Sequence, residues 1–581
     1  MWGRRSLVAV SAAAAVAGVF VAGVLVAGSG PEASRGPLSP TGPGAGRYRL
    51  DYLVFYAPGR KAEAVRAVQE AGGTAGEDEP KLGYLVVRGM PPAFPEKAAA
   101  TSAIVGITPN RRMGATDALR GMTAGREARY APIAAPAERS PEATIEGRVA
   151  ASGMSGVPKA EPLASRQWDM KMIGATRTGS YAKAPGSHKV LVGIIDTGID
   201  GRHPDIAPNF NRALSRNFVQ DIPRDAAGEM VDGPCESDGC VDPADVDDDG
   251  HGTHVAGIIG SPVNGLGVAG VAPGVSLVNL RAGQDSGYFF LKPTMDALTY
   301  AGDTGIDVVN MSFYIDPWLF NCGGNPADSR AQQLEQAGIL AGVQRALDYA
   351  GHRDVTLISA LGNGASDLGK ITTDAGSPDY PRGARHTRKI DGSCLSVPTE
   401  SHGVISVSAL GPSGRKSFFS DYGMEQADLS APGGDAFDTV TGLPGNERQI
   451  LAAAPEKLLR AQGRIRADGE PKDSTVVRDC HDGTCGYYQY LEGTSMAAPH
   501  AAGVAAILIS RFGRPGRGGL TMAPAAVEKL LYATAVQKAC PSPRAYHYPG
   551  DKVHVCEGAK ARNGFYGHGV VNARRAATVE R

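Results

Sequence analysis

Five long apolar runs recur along the chain after Gln167, and helical segments separate them. The runs are Lys189–Asp196, Ser276–Ala282, Gly305–Phe313, Asp354–Gly362 and Gly403–Leu410. A strand with one solvated face alternates apolar and polar residues, whereas a strand buried on both faces is apolar throughout. The runs therefore predict an α/β fold with a doubly wound parallel sheet that helices cover on both faces.

The first part of the chain has a different pattern, which is typical of a small α+β unit. The alternating segment Tyr48–Tyr56 predicts a strand, and Arg60–Gly73 has helical spacing that ends at glycine. A second strand is predicted at Leu82–Gly89, and Ile104–Asn110 is a third apolar segment after an alanine-rich helix. We place the unit in residues 30–112, which begin with a loose stretch rich in Pro, Gly and Ser.

Two further segments complete the predicted domain organisation: a linker and an N-terminal signal. Residues 113–166 lack periodicity and are predicted to be a linker, which leaves 167–581 as the main domain. Residues 1–29 contain two arginines, an uncharged stretch and then small residues, which is the pattern of a cleaved secretory signal. We therefore expect a secreted protein. The uncharged stretch, Leu7–Ala27, is also long enough to span a bilayer, so a retained anchor on the precursor is the alternative.

The charge of the chain gives no indication of a polyanionic partner. The sequence has 59 Lys and Arg against 60 Asp and Glu, a formal net charge of -1, and no long basic run. Nucleic acid is therefore not expected as a partner.

The eight cysteines are predicted to form disulfides, as suits an exported protein. Three pairs are close in sequence, and loop proximity leaves two cysteines as a fourth pair. Free thiols are the alternative, and a zinc site is not favoured because the sequence has no CxxC pair or His/Cys cluster. The predicted pairs are Cys235–Cys240, Cys480–Cys485, Cys540–Cys556 and Cys322–Cys394.

Four polar residues follow apolar runs or begin predicted helices, where parallel sheets place their sites. Asp196 ends the first run, His251 and His254 begin a Gly/Ala-rich helix, and Ser495 begins a segment of small residues. A serine hydroxyl is a weak nucleophile until a base takes its proton. Ser495, His251 and Asp196 together suit a relay of nucleophile, base and orienting carboxylate. His254 is interpreted as a structural residue.

The segments around these residues resemble the subtilisin-like serine proteases. They read "DTGIDGRHPDI", "HGTHVAG" and "GTSMAAPHAAG", in the order Asp, His, Ser, and the resemblance spans roughly Gln167–Ala573. It implies a serine endopeptidase that acts on protein or peptide substrates and needs no cofactor for its chemistry. It also implies that Asp196, His251 and Ser495 are catalytic and that Asn363 supplies the side-chain amide of an oxyanion hole.

The substrate-binding strands implied by the resemblance depart from the family pattern. The family usually continues its Asn-Met-Ser strand with Leu-Gly-Gly, whereas this chain reads "NMSFYID". The larger side chains of Phe313 and Tyr314 are expected to narrow the substrate pocket. Surface insertions are expected at Asn211–Asp249, Trp318–Ala350 and Phe437–Tyr488. The predicted substrate-binding residues are Ser286, Gly287, Tyr288, Ser312, Phe313, Tyr314 and Gly362.

The small unit in residues 30–112 resembles the inhibitory prodomain of the same family. Such a unit assists folding and blocks the site as an intramolecular partner until it is cleaved, here between Arg139 and Arg166. An unrelated small domain is the alternative interpretation.

A calcium site of the family is matched by Asp205 and Asn264. The backbone carbonyls of Pro262, Leu266 and Val268 would complete it, since calcium prefers oxygen ligands. Ordinary turn polarity is the alternative for both side chains. The acidic segment before His251 begins like an EF-hand loop but lacks the acidic residue at its twelfth position, so an EF-hand is rejected.

Two features of the sequence suggest other functions. Gly364–Lys370 nearly matches a phosphate-binding loop, but Ile371 follows where that motif requires Ser or Thr, which disfavours a nucleotide hydrolase. A catalytically silent protein that binds a partner through its loops is the non-enzyme alternative, and Phe313 and Tyr314 are its only support.

Overall fold

A computed structural model describes most of the chain. The described residues are 49–111, 160–225, 229–381, 383–439, 443–548 and 552–580. The predicted signal segment and the predicted linker as far as residue 159 lie outside them. Within the described ranges, none of the helices combines the length and apolar character that crossing a bilayer requires.

The small N-terminal unit is an antiparallel sheet with the strand order β2-β3-β1-β4. Alternate residues of its first strand pack in two different apolar cores. Tyr52 and Val54 pack in the core of the unit, whereas Leu53 and Phe55 pack against the main domain. The sequence did not reveal β2, which is polar. The elements are β1 Leu50–Tyr56, α1 Lys61–Glu70, β2 Ala75–Glu79, β3 Tyr84–Met90, α2 Phe94–Ala98 and β4 Ile104–Pro109.

The predicted parallel sheet is present, with seven strands in the order β13-β12-β9-β8-β5-β7-β6. Its elements are α3 Trp168–Ile173, β5 Leu191–Ile195, β6 Arg216–Asn217, α4 His251–Gly260, β7 Ser276–Arg281, α5 Leu291–Thr304, β8 Val308–Met311, α6 Arg330–Gly351, β9 Thr356–Ala360, β12 Val404–Leu410 and β13 Leu429–Pro432. A separate two-stranded ribbon consists of β10 Thr373–Asp374 and β11 Arg388–Lys389. All five predicted runs contain a strand of the sheet.

The C-terminal third adds one long helix and several small ribbons. Part of the predicted insertion Phe437–Tyr488 forms a regular sheet with the order β14-β16-β15, so its interpretation as a surface loop was wrong. The elements are β14 Ile450–Ala453, α7 Glu456–Ala461, β15 Val476–His481, β16 Thr484–Leu491, α8 Thr494–Phe512, β17 Arg514–Gly516, β18 Gly519–Thr521, α9 Pro524–Thr534, β19 Ala545–Tyr548, β20 Lys552–Val555, β21 Gly558–Ala559, β22 Arg562–Asn563 and α10 Ala573–Thr578.

Helices cover both faces of the large sheet, as the apolar runs predicted. In β5, Val192 and Ile194 face one apolar core, which includes residues of α4 and α8. Leu191 and Ile195 face the other core, which includes residues of α5 and α6. Because both faces are buried, the strand is apolar at every position.

The predicted surface insertion Trp318–Ala350 is mostly the long helix α6, so that interpretation was also wrong. Ser329 begins the helix with a capping box, because its hydroxyl accepts from the N–H of Gln332 and the Gln332 side chain accepts from the N–H of Ser329. The helix packs both on the core of the main domain and on the small unit. A Cβ added at Gly106 of β4 would lie 2.2 Å from the backbone nitrogen of Gly338.

Polar contacts reinforce the docking of the small unit on α6. The Arg345 guanidinium donates hydrogen bonds to the carbonyls of Tyr56, Leu82 and Gly83, each at 3.0 Å. These charge-assisted bonds give a donor to carbonyls that the interface shields from water, and they give the guanidinium its acceptors. The small unit and the main domain therefore share a specific interface.

All four predicted disulfides are present and pair all eight cysteines.

The acidity of the insertion before His251 has a structural reason. The buried guanidinium of Arg281 in β7 donates to Asp242 at 2.6 Å and to Asp221 at 2.8 Å, both in the insertion. The carboxylates thus attach the insertion to the sheet around one buried cation.

Candidate active site

Two of the predicted catalytic residues are in direct contact. Asp196 follows β5, and His251 is the first residue of α4. Asp196 Oδ1 lies 2.7 Å from His251 Nδ1, and both side chains are buried. The same carboxylate oxygen accepts a bond from the N–H of Thr197 at 2.8 Å, which fixes its orientation.

A second aspartate, which sequence analysis did not assign, positions α4 beside β5. Asp247 accepts from the backbone N–H of Thr253 at 2.9 Å and from the hydroxyl of Thr197 at 3.0 Å. It therefore caps the N-terminus of α4 and links it to the end of β5. The approach requires glycine, because a Cβ at Gly252 would lie 2.1 Å from the carbonyl oxygen of Gly198.

The pKa of His251 is raised by the carboxylates around it. Burial of the imidazole acts to lower this pKa, but the charge and hydrogen bond of Asp196, together with the charges of Asp249 and Asp247, outweigh that effect. Burial raises the pKa of Asp249 to about 7, with Asp247 as the next contribution. The imidazole is thus in a site that favours its protonated form.

Ser495 lies at the same edge of the sheet, near the N-terminus of α8. Its hydroxyl donates to the carbonyl of Ser312 at 3.3 Å, and the Ser312 hydroxyl donates to the carbonyl of Ser495 at 3.1 Å. Ser312 directly follows β8, whose Met311 pairs with Ile195 in β5. Asp196 and Ser312 therefore end adjacent parallel strands, which brings Ser495 to the edge occupied by Asp196 and His251.

Asn363 follows β9 and is oriented by the residue before Ser495. Its Oδ1 accepts from the backbone N–H of Thr494 at 2.9 Å and from the Thr494 hydroxyl at 2.8 Å. These bonds occupy the oxygen end of the amide, so its donor end is the Nδ2 group. Nδ2 would lie 3.4 Å from a Cβ added at Gly493.

A cavity of about 380 Å³ opens beside these residues. Of the predicted substrate-binding residues, five line it, as do Asn363 and Ser495. Ser286 instead donates from its hydroxyl to Asp232 at 2.7 Å, and Tyr288 packs in an aromatic group with Phe290 and Tyr380. The five lining residues are Gly287, Ser312, Phe313, Tyr314 and Gly362.

The two large residues of the predicted pocket are held in its wall. The Phe313 ring stacks on Phe289 with centroids 4.1 Å apart. The Tyr314 hydroxyl donates to Asp379 Oδ2 at 2.5 Å. Both rings are therefore fixed by neighbours while they line the cavity.

The predicted calcium-site residues are in contact, and a third acidic residue lies against their loop. Asp205 Oδ1 accepts from Asn264 Nδ2 at 3.1 Å, and Asp205 Oδ2 accepts from the N–H of Val268 at 3.1 Å. Glu161, which sequence analysis did not assign, accepts from the N–H of Gly265 at 2.9 Å. Burial raises the pKa of Glu161 to about 7 and that of Asp205 well above its usual value.

The segment that resembles a phosphate-binding loop has its amides directed at protein acceptors. The N–H of Ala365 donates to the carbonyl of Phe419 at 2.7 Å, and the N–H of Leu368 donates to the carbonyl of Tyr422 at 2.8 Å. Lys370 pairs with Asp367 and with Glu557. Because amides that bind phosphate must point at the ligand, this geometry disfavours a nucleotide site.

The structural interpretation of His254 agrees with its surroundings. Its Nε2 lies 3.1 Å from the carbonyl of Ile450 and 3.0 Å from that of Gln489. Burial lowers the pKa of His254 to about 3, so the ring is neutral. It connects α4 to the small sheet that contains β14 and β16.

This chain is similar in sequence to the Subtilase family and to known proteins that include a serine proteinase. A sequence model of the Subtilase family matches residues 187–569. The thermophilic serine proteinase of Bacillus sp. (strain AK1) is 27% identical over 327 residues, which are 56% of this chain and 53% of that protein. Fervidolysin of Fervidobacterium pennivorans is 27% identical over 361 residues, which are 61% of this chain and 39% of that protein. The chain thus spans about half or less of these relatives.

Solved structures show the same fold at low sequence identity. The epidermin leader peptide processing serine protease of Staphylococcus aureus has a TM-score of 0.56 and is 21% identical, and the match covers 92% of this chain and 98% of that one. At this identity the likeness concerns the architecture alone.

Proposed function

The chain belongs to the subtilase family, and from this premise we propose that it is a secreted serine endopeptidase made as an inactive precursor. One observation carries the proposal: Asp196 Oδ1 lies 2.7 Å from His251 Nδ1, at the sheet edge where Ser495 also lies. A carboxylate bound to one imidazole nitrogen orients the other nitrogen toward a nucleophile.

In the proposed reaction, the Ser495 hydroxyl attacks a peptide carbonyl while His251 takes its proton. Asp196 holds the imidazole and stabilises its cation. The Asn363 amide and the Ser495 N–H bind the negative oxygen of the tetrahedral intermediate. The imidazolium then protonates the leaving amine, and water hydrolyses the acyl-enzyme by the same steps.

A fluorophosphonate probe tests this function directly. We expect it to modify one residue, Ser495, identified by mass spectrometry of peptides from the protein after removal of the small unit. Protein that is fully folded by circular dichroism and yet remains unlabelled would favour the alternative, a silent subtilase that binds a partner.

We assign the small N-terminal unit as the intramolecular inhibitor of the precursor. Arg111, near its end, pairs with Glu335 in α6, and its guanidinium lies 5.5 Å from the centre of the Tyr380 ring. Tyr380 packs on Tyr288 of the predicted substrate strand. The unit therefore ends close to the region where substrate is proposed to bind.

Secretion is supported by the N-terminal pattern and by the four disulfides.

Removing the Asn363 amide should lower kcat by about a hundred- to a thousandfold with little change in KM, because the lost hydrogen bond forms mainly in the transition state. This range comes from a subtilisin. Asn363→Ala and Asn363→Asp both lack the donor, but the aspartate keeps an acceptor for Thr494. Peptide hydrolysis would be measured for both.

A matched control for this test is Asn572→Ala. Asn572 also accepts a bond at a helix N-terminus, from the N–H of Arg575 at 2.8 Å, and it is not among the cavity residues. Its kcat should equal that of the unmodified protein. An unchanged kcat in the Asn363→Asp variant would contradict the assignment of Asn363 to the oxyanion hole.

We also propose that Asp205, Glu161 and Asn264 hold a structural calcium ion. Two buried carboxylates are a suitable donor set for a hard cation, and rotation of the Asn264 amide would direct its Oδ1 at the ion. The ion would stabilise this loop. The carbonyls of Pro262, Leu266 and Val268 are the further ligands expected from the sequence.

Calcium should therefore raise the midpoint of thermal unfolding relative to the protein in EGTA. A ligand that binds only the folded state stabilises it by about 2.7 kcal/mol at a hundred times its Kd. Asp205→Asn should abolish the difference, whereas Asp307→Asn, at a buried carboxylate elsewhere, should retain it. Equal midpoints in calcium and EGTA for the unmodified protein would contradict the assignment.

A further inference from the structure

A buried carboxylate outside the proposed catalytic residues supports the loop that carries Asn363. Asp421 Oδ1 accepts from the N–H of Ser366 at 2.7 Å. The N–H of Asp421 in turn donates to the carbonyl of Gly362 at 2.9 Å. One residue thus binds the backbone on both sides of Asn363.

The carboxylate fits this loop closely. Gly362 has a φ of +125°, and a Cβ added there would lie 2.3 Å from Asp421 Oδ2. A Cβ at Gly364 would lie 3.0 Å from Asp421 Oδ1. The two glycines therefore allow the backbone around Asn363 to close onto the carboxylate.

Asn363 is held from the opposite direction as well. Thr494, which precedes Ser495, donates two bonds to the Asn363 oxygen. Asp421 fixes the backbone of the loop, and Thr494 fixes the rotation of the side chain. The amide can direct its donor at a reacting oxygen only while both constraints hold.

An amide at position 421 would not replace the carboxylate. Asp421 Oδ1 accepts from a backbone N–H, and Oδ2 lies against Gly362. An asparagine would direct its NH2 group either at that donor or into the close approach at Gly362. The close approach at Gly362 leaves little room for a shift. Burial raises the pKa of Asp421 to about 6, and the buried Lys416 acts in the opposite direction. Lys416 donates to the carbonyls of Ser417 and Ser420.

We propose that Asp421 is a positioning residue for the oxyanion-binding amide of Asn363. The inference rests on the proposed function, because it assigns Asp421 a role in that reaction. Although Asp421 also lines the cavity, it would act through the loop rather than by contact with the substrate.

The test is a double-mutant cycle between Asp421→Asn and Asn363→Ala, with kcat and KM measured on one peptide substrate. Alone, Asp421→Asn should lower kcat about tenfold and leave KM unchanged, since small misplacements of a catalytic group are costly. In the Asn363→Ala background the same change should have almost no effect, because the group that it positions is absent.

A control separates positioning from general stability. Asp307 is a buried carboxylate that accepts from the N–H of Leu191 at 2.8 Å, and it precedes β8, at the opposite edge of the sheet. Asp307→Asn should leave kcat unchanged, whatever its effect on the unfolding midpoint. If Asp421→Asn does not fold, Gly364→Ala displaces the same carboxylate by a few tenths of an ångström and should lower kcat severalfold in the same cycle.

Two results would overturn the inference. An equal loss of kcat in both backgrounds would show that Asp421 acts independently of Asn363. A rise in KM confined to substrates with Lys or Arg would show that Asp421 contacts the substrate. Fluorophosphonate labelling of Ser495 in the Asp421→Asn variant distinguishes these outcomes from failure of the proposed function, in which even the unmodified protein is unlabelled.

Discussion

Ser495→Ala is expected to reduce kcat for peptide hydrolysis by on the order of a millionfold, the loss found when the nucleophile of a subtilisin is removed. Without the hydroxyl no acyl-enzyme forms, and any residual rate comes from binding and oxyanion stabilisation alone. The measurement is hydrolysis of a fluorogenic peptide, with the small unit removed in the same way from both proteins. KM should change little.

Ser510→Ala is the matched control for this variant. Ser510 lies on the same helix, α8, and its hydroxyl donates to the carbonyl of Ala506 at 2.8 Å. We expect its kcat to equal that of the unmodified protein. If the Ser495→Ala protein still hydrolysed the peptide at more than about a thousandth of the normal rate, Ser495 would not be the nucleophile.

The fold could be predicted wherever burial leaves a pattern in the sequence. The five apolar runs became strands of the large sheet because both of their faces are covered. In the large sheet and in the sheet of the N-terminal unit, the strands that were missed are short or polar: β6 has two residues, β13 four, and β2 reads AGEDE. Their pairing depends on neighbouring strands rather than on their own composition.

The helix α6 was missed although its sequence contains a usable signal. Ser329 and Gln332 form the S-x-x-Q spacing of a capping box. The interpretation as a surface loop also failed because α6 buries its small residues, including Gly338, against the N-terminal unit. That surface exists only once the two parts of the chain have docked.

Some residues of the candidate site could be predicted from the sequence, and others could not. Asp196, His251 and Ser495 lie in recognisable segments, so the sequence could indicate them. Asp421 and Glu161 have no such segment, because their roles depend on contacts with residues far along the chain. The partner of Asp421 is 55 residues away and that of Glu161 is 104 residues away, so only folding reveals them.

Asp196→Asn should lower kcat by about ten thousandfold while the fold is kept, the loss known for this change in a serine protease triad. An asparagine NH2 group would donate to His251 Nδ1 and leave the proton on Nε2. The imidazole could then no longer accept the proton of Ser495. Peptide hydrolysis at a pH where the unmodified protein reaches its plateau measures the loss.

The pH dependence of kcat/KM gives this prediction a second readout. Only the neutral imidazole acts as a base, so activity rises as the pH passes through the pKa of His251. Burial lowers that pKa, and the carboxylates of Asp196 and then Asp249 raise it above the usual value. Asp196→Asn should therefore move the acidic limb to lower pH.

Asp249→Asn is the control that separates charge from orientation, because Asp249 accepts from the backbone N–H of His251 at 3.1 Å rather than from its ring. It should also move the acidic limb to lower pH, but its plateau should stay near that of the unmodified protein. An Asp196→Asn variant with the same behaviour would mean that Asp196 acts by charge alone. The 2.7 Å contact with Nδ1 would then have no role in fixing the tautomer.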